Sequence, residues 1–128
     1  MRFKELTEPI IGAAPEVHRH LGPGLLESVH EECLCHELTL RRLPFKRQVQ
    51  STVNYKGLQL PKGHRIDLLV SDAVVVELKA VETLLPVHTV QTLSYLRLGN
   101  WPVGLLINFN EAVLIKGLRR LTLELPDP

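Results

Sequence analysis

His64-Arg65-Ile66-Asp67-Leu68-Leu69-Val70, followed across Ser71-Asp72-Ala73 by Val74-Val75-Val76-Glu77-Leu78-Lys79, is the stretch from which the fold is read. Two runs rich in Val, Ile and Leu flank a short turn, and runs of that composition are strands buried on both faces. Asp67, Glu77 and Lys79 lie inside them, where charge is costly unless it is paired or holds a metal. If the strands pair as a hairpin centred on residue 72, Asp67 and Glu77 come opposite each other at about 5 Å. Residues two apart share a strand face, so Lys79 joins Glu77 while Leu78 points into the core. Two carboxylates so placed repel unless a proton or a cation lies between them.

The spacing leaves two readings open. One is an internal Asp/Glu/Lys ion cluster. The other is a site for a hard divalent cation such as Mg²⁺, which suits oxygen ligands. On the second reading Asp67 and Glu77 bind the ion and the carbonyl of Leu78 adds a ligand. The ion acidifies a bound water and stabilises charge on a phosphodiester oxygen. Lys79 orients that water or neutralises developing charge. Arg65 shares the Asp67 face and is either its ion-pair partner or a phosphate contact.

Upstream, Phe45, Val49, Val53 and Tyr55 alternate with polar residues and predict one half-exposed strand over 45–55. Lys56-Gly57 is a turn, and 58–60 with 65–70 form the next strand, interrupted at Pro61-Lys62-Gly63. The third strand, over 73–81, is expected to be central. Further upstream, Leu6, Ile10, Ile11, Ala14, Val17 and Leu21 follow helical spacing. Thr7 is a candidate N-cap, and Pro15 predicts a kink or break between 12 and 15. A second helix over 25–41 is expected to bury Leu26, Val29, Cys33, Leu34 and Leu38. Glu27 stands in its first turn, where the helix dipole favours a surface carboxylate, and His30 lies three residues on. Downstream, Pro86 opens a helix to 98 with Val90, Leu93, Leu96 and Val87 facing inward. A strand over 102–108 follows, then edge strands over 112–116 and 119–125 and a tail at 126–128. Helices and strands in this order predict a mixed sheet with helices packed on it.

The 128 residues suit one domain, 1–128, with a 45% hydrophobic fraction and a net charge of +1. That balance gives no bulk electrostatic argument for nucleic acid. Arg41, Arg42, Lys46 and Arg47, and separately Lys62, His64 and Arg65, read best as solvated surface. No apolar run approaches a membrane span and the N-terminus lacks the core of a signal peptide, so a cytoplasmic protein is expected. Cys33 and Cys35, two apart on a helix, read as reduced thiols, with Cys33 on the buried side. The histidines offer no zinc-like spacing, and His64 and His88 read as surface or capping groups.

Asp67 with Glu77-Leu78-Lys79 resembles the core motif of the PD-(D/E)XK nuclease superfamily. Gly24-Leu25-Leu26-Glu27-Ser28-Val29-His30 resembles the signature of its GxxExxY branch, as do Gly22-Pro23-Gly24, Arg65-Ile66-Asp67-Leu68-Leu69, Val76 to Glu82 and Gly104-Leu105-Leu106-Ile107-Asn108-Phe109. The resemblance runs from Leu6 to Leu121 and implies a restriction-endonuclease-like α/β fold. It implies that Glu27 completes the metal site with Asp67 and Glu77. Gln91 and Tyr95 resemble the Gln-x-x-x-Tyr motif of RecB-like nucleases, which would aim Gln91 at the metal site or a DNA backbone. His30 stands where the signature has Tyr, and Pro15 where it has an ordinary helical residue.

These readings lead to a Mg²⁺- or Mn²⁺-dependent phosphodiesterase acting on nucleic acid, with DNA expected. The rival is a non-catalytic nuclease-like module binding nucleic acid or a protein partner. A homodimer is expected of so small a nuclease. A purely structural dimer would use the apolar edge near Trp101 or Phe109.

Overall fold

A computed structural model describes residues 3–123. The chain runs α1 (Lys4–Leu21), α2 (Glu27–Leu40), β1 (Phe45–Gln50), β2 (Val53–Tyr55), β3 (Leu58–Leu60), β4 (Arg65–Val70), β5 (Val74–Lys79), α3 (Pro86–Gly99), β6 (Val103–Asn108), a 3₁₀ turn (Leu114–Gly117) and β7 (Leu118–Thr122). Five strands form one sheet in the order β1-β4-β5-β6-β7, and β2 with β3 makes a separate small hairpin. Only β5 and β6 pair in parallel within the large sheet. A parallel pair needs a long crossover, which α3 supplies.

The continuous apolar runs take the middle of the sheet, as their composition requires: all of β6 is buried, and so is β5 up to Leu78. On β5, Val74, Val76 and Leu78 join a cluster with Ile10 and Ala14 of α1 and Leu34 and Leu38 of α2. Val75 joins another with Leu96 of α3. Since successive strand residues alternate in facing, α1 and α2 cover one face of the sheet and α3 the other. The α3 face is close-packed where the helix crosses β6. A Cβ on Gly104 would stand 3.2 Å from Thr92 Cγ2 and 3.3 Å from Leu96 Cδ2. This is the restriction-endonuclease-like arrangement, a mixed sheet flanked by helices.

Several local expectations are corrected. Helix α1 is not broken at Pro15; it is continuous, with Pro9 and Pro15 inside it. Burial of Ile10, Ala13, Ala14 and Val17 on both sides of Pro15 offsets the lost hydrogen bond. Thr7 does not cap the helix. Its hydroxyl donates back to the carbonyls of Phe3 and Lys4 at 3.3 and 3.4 Å.

In α2 the buried face is His30, Glu31, Leu34, Cys35 and Leu38, whereas Leu26 and Val29 are exposed. Cys35 is therefore the buried thiol, Cys33 is half-buried, and both are free. In α3, Val87 and Val90 face solvent while Thr92 and Leu96 are buried. The strand expected over 45–55 divides at Ser51 and Thr52, and Phe45 and Val49 pack into opposite clusters. Residues 114–117 form a 3₁₀ turn instead of an edge strand. Phe109 is fully buried, which removes it as an interface residue. Residues 124–128, with the tail and the end of the last expected strand, lie outside the described residues. No described helix is long and apolar enough to cross a membrane.

Candidate active site

Strands β4 and β5 pair only through Leu68↔Val76, Leu69↔Val75 and Val70↔Val74, the register of a hairpin centred on residue 72. Both strands continue beyond that ladder, β4 alongside β1 and β5 alongside β6. Two carboxylates stand where they part. The main-chain N–H of Asp67 donates to Glu77 Oε1 at 3.1 Å, and that of Leu78 donates to Asp67 Oδ2 at 2.8 Å. Each side chain thus takes the place of a missing ladder bond and grips the opposite strand.

Glu77 exposes only 2% of its side chain. Burial first, and the negative charge of Asp67 second, push its carboxyl up to about 8, against the pull of the Asp67 N–H and of Lys79. Lys79 is half-buried and makes no ion pair with a described residue. Glu27 is the first residue of α2 and is exposed. Its carboxyl is raised by desolvation and then by Asp67, while Lys79 lowers it. The start of α2 therefore sits within the electrostatic field of Asp67 and Lys79, although Glu27 comes from the other face of the sheet.

His64, read from the sequence as a surface or capping group, and Gln48, which the sequence did not single out, also stand here. His64 places Nε2 3.4 Å from Glu77 Oε2, and its ring lies flat on Tyr95 of α3, with centroids 4.5 Å apart and planes at 9°. Gln48 lies inside β1 with φ 52°. Its amide donates to Glu31 Oε1 at 2.9 Å and reaches Asp67 Oδ1 at 3.5 Å. Arg47 in turn donates to Glu31 and Glu32 at 2.7 and 2.9 Å. Polar contacts therefore run from α2 through β1 to Asp67. No periodicity could have flagged either residue. His64 comes just before a strand and Gln48 in the middle of one, and only the packing of separate elements brings them to the carboxylates.

The remaining candidates divide. Tyr95 is half-buried beside the site, and its hydroxyl is raised by burial and then by Glu77 and Asp67. Gln91 is exposed one turn earlier on α3. Arg65 is exposed and does not pair with Asp67; its Nε lies 3.4 Å from Gln50 Oε1. His30 is fully buried, stacked on Phe109 at 4.5 Å, and neither ring nitrogen has a hydrogen-bond partner among the described residues. Burial, then His18, lowers its pKa. It lies three residues on from exposed Glu27, offset by about 60° around the helix, and its ring is in the core. The cluster at 41–47 is largely neutralised, Arg41 by Glu37, Lys46 by Asp72 and Arg47 by Glu31 and Glu32.

As a cation site the donor set is hard oxygen, and the repulsion from Asp67, which adds to burial in raising Glu77, is what a divalent ion would relieve. Each carboxylate oxygen engaged by a backbone N–H keeps a second lone pair. Among the described residues no three His, Cys, Asp or Glu side chains converge into one metal cluster, so Asp67 and Glu77 form a two-carboxylate pair that Glu27 approaches without closing.

The sequence profile of the PD-(D/E)XK nuclease superfamily matches residues 4–121, and the chain belongs to that superfamily. The matched span takes in every element that carries a residue of the candidate site. No curated protein and no solved structure matches the chain significantly.

Proposed function

We propose that this chain is a Mg²⁺- or Mn²⁺-dependent phosphodiesterase acting on nucleic acid, with DNA as substrate, and that it is a member of the GxxExxY branch, related to RecB-like nucleases. The observation that carries the reading is the pair Asp67 and Glu77, each accepting a hydrogen bond from the other strand's backbone where β4 and β5 part, with Lys79 on the same strand as Glu77. Asp67 and Glu77 hold the ion, with the Leu78 carbonyl and Glu27 as further oxygen donors. When bound, the ion supplies Lewis-acid polarisation and an acidified water. Lys79 presents an ammonium where charge develops on the phosphodiester. Gln91 and Tyr95, on one side of α3, and exposed Arg65 line the approach of the backbone. A homodimer would extend the contact area that one small domain lacks.

A second reading, a non-catalytic module that binds a protein partner, draws on the exposed apolar residues beside Glu27: Leu25, Leu26 and Val29, at 40%, 73% and 37% exposure. One experiment separates the two. Thermal unfolding is followed while Mn²⁺ or Mg²⁺ is added to wild type and to Asp67→Ala. Stabilisation that is lost in the variant supports the phosphodiesterase; no response in either favours the binding module. A cleavage assay over single-stranded, duplex and branched DNA, and RNA, then defines the substrate. Lys79→Ala is expected to lower kcat on the order of 10²–10³-fold with metal binding retained. Full activity in that variant removes Lys79 from the mechanism.

A further inference from the structure

The segment leading into β4 is irregular, yet it is pinned at several points. Ser51, exposed by only 3%, donates its hydroxyl to the His64 carbonyl at 2.6 Å and its N–H to the same oxygen at 3.3 Å. Gly63 N–H donates to the Ser51 carbonyl at 3.2 Å, and Gln50 donates its amide to the Gly63 carbonyl. A Cβ on Gly63 would stand 2.8 Å from the Ser51 carbonyl oxygen, so glycine is what permits the two backbones to meet. This clasp fixes the main chain of His64, and Tyr95 backs its ring.

The ring so held is aimed at Glu77. Glu77 Oε1 is gripped by the Asp67 N–H, and Oε2 faces His64 Nε2. The last torsion of a glutamate is broad, so a carboxylate held at one oxygen still rotates about it. A contact at the second oxygen removes that freedom. The distance of 3.4 Å is loose, as contacts in catalytic sites are before ligand binds.

We propose that His64 is a positioning residue of this site, whose imidazole, clasped by Ser51 and stacked on Tyr95, sets the orientation in which Glu77 presents its oxygens to the divalent ion. The proposal rests on the phosphodiesterase reading and deepens it. His64 acts here as the Nε2–H tautomer, donating to Oε2. It acts through Glu77, so its loss touches metal affinity and turnover more than nucleic-acid binding.

The test uses the whole chain with Mn²⁺ as probe. His64→Ala is expected to weaken Mn²⁺ binding in calorimetry and to lower kcat, each by about tenfold or more, with KM for nucleic acid changed by less than about threefold. His64→Gln, whose side-chain amide can donate to the same oxygen, is expected to recover most of the Mn²⁺ affinity. Unchanged affinity in His64→Ala overturns the proposal, and so does a Gln variant as weak as Ala. The ring contact has its own readout. The His64 ring protons should show upfield NMR shifts that persist in Tyr95→Phe and vanish in Tyr95→Ala; their absence from wild type also overturns it. If wild type neither binds Mn²⁺ nor cleaves, the phosphodiesterase reading fails on its own. The positioning contact is then judged by a thermal-stability cycle of His64→Ala with Glu77→Gln. Non-additive effects sustain the contact, and additive ones overturn it.

Discussion

Gln48 is a left-handed residue, φ 52°, in the middle of a strand. A residue with a Cβ pays roughly 1–2 kcal/mol for that conformation, and here the return is geometric. The pairs on either side of it, Arg47↔Leu68 and Val49↔Ile66, keep one register, but Gln48 and Asp67 are not paired in the ladder. The turn of the backbone leaves the Gln48 amide between Glu31 and Asp67. Gln48→Gly and Gln48→Ala lose the same amide contacts, but only glycine relieves the backbone. Gln48→Gly is therefore expected to be more stable than Gln48→Ala by about 1 kcal/mol in chemical denaturation. Equal stabilities would mean that position 48 does not hold this conformation in solution.

Among the elements, α3 does most to shape the site, because it covers the Glu77 face and brings Tyr95 to His64. Its inner side is Thr92 and Leu96, seated on Gly104 of β6. Leu96→Ala removes a fully buried side chain and should cost roughly 2–5 kcal/mol. Val90, 60% exposed, should change stability by no more than about 0.5 kcal/mol when replaced by Ala. Unfolding curves that reversed this order would refute the helix's rotation. Apolar spacing misjudged this face because Val87 and Val90, which are exposed, are as hydrophobic as Leu93 and Leu96, which pack inward. The same error in α2 chose Val29 and Cys33 over His30 and Cys35. Helical phase on a short, broadly apolar segment is settled by what the neighbouring sheet offers.

At the scale of the whole molecule, the buried carboxylate pair couples stability to pH. Glu77 has a folded pKa of about 8, against about 4.3 for an unfolded glutamate. Between those values the native chain binds more protons than the unfolded one, so this group's contribution is fully present below the lower pKa and is lost as pH rises through the upper. His30, lowered by burial, acts in the opposite sense as pH falls below about 6.5. The Glu77 effect is therefore read as the difference between wild type and Glu77→Gln. In metal-free protein the melting temperature of wild type should fall relative to the variant as pH climbs from about 4.3 to about 8. A constant difference across that range would place the Glu77 carboxyl in water.

The order of residues along the chain is enough to set the α/β class, the central strands and the hairpin register. Each follows from local rules: runs of Val, Ile and Leu long enough to be buried on both faces, and a turn short enough to permit only one pairing. It also brought Asp67, Glu77 and Lys79 together, because strand periodicity and that register are both arithmetic on residue numbers. It took the packed molecule to reveal that β4 and β5 part after Val76 and Leu68, that the two carboxylates bind the opposite backbone, that His30 is buried, and that His64 and Gln48 stand at the site. These depend on where separate elements come to rest against one another, and spacing along a chain carries no record of that.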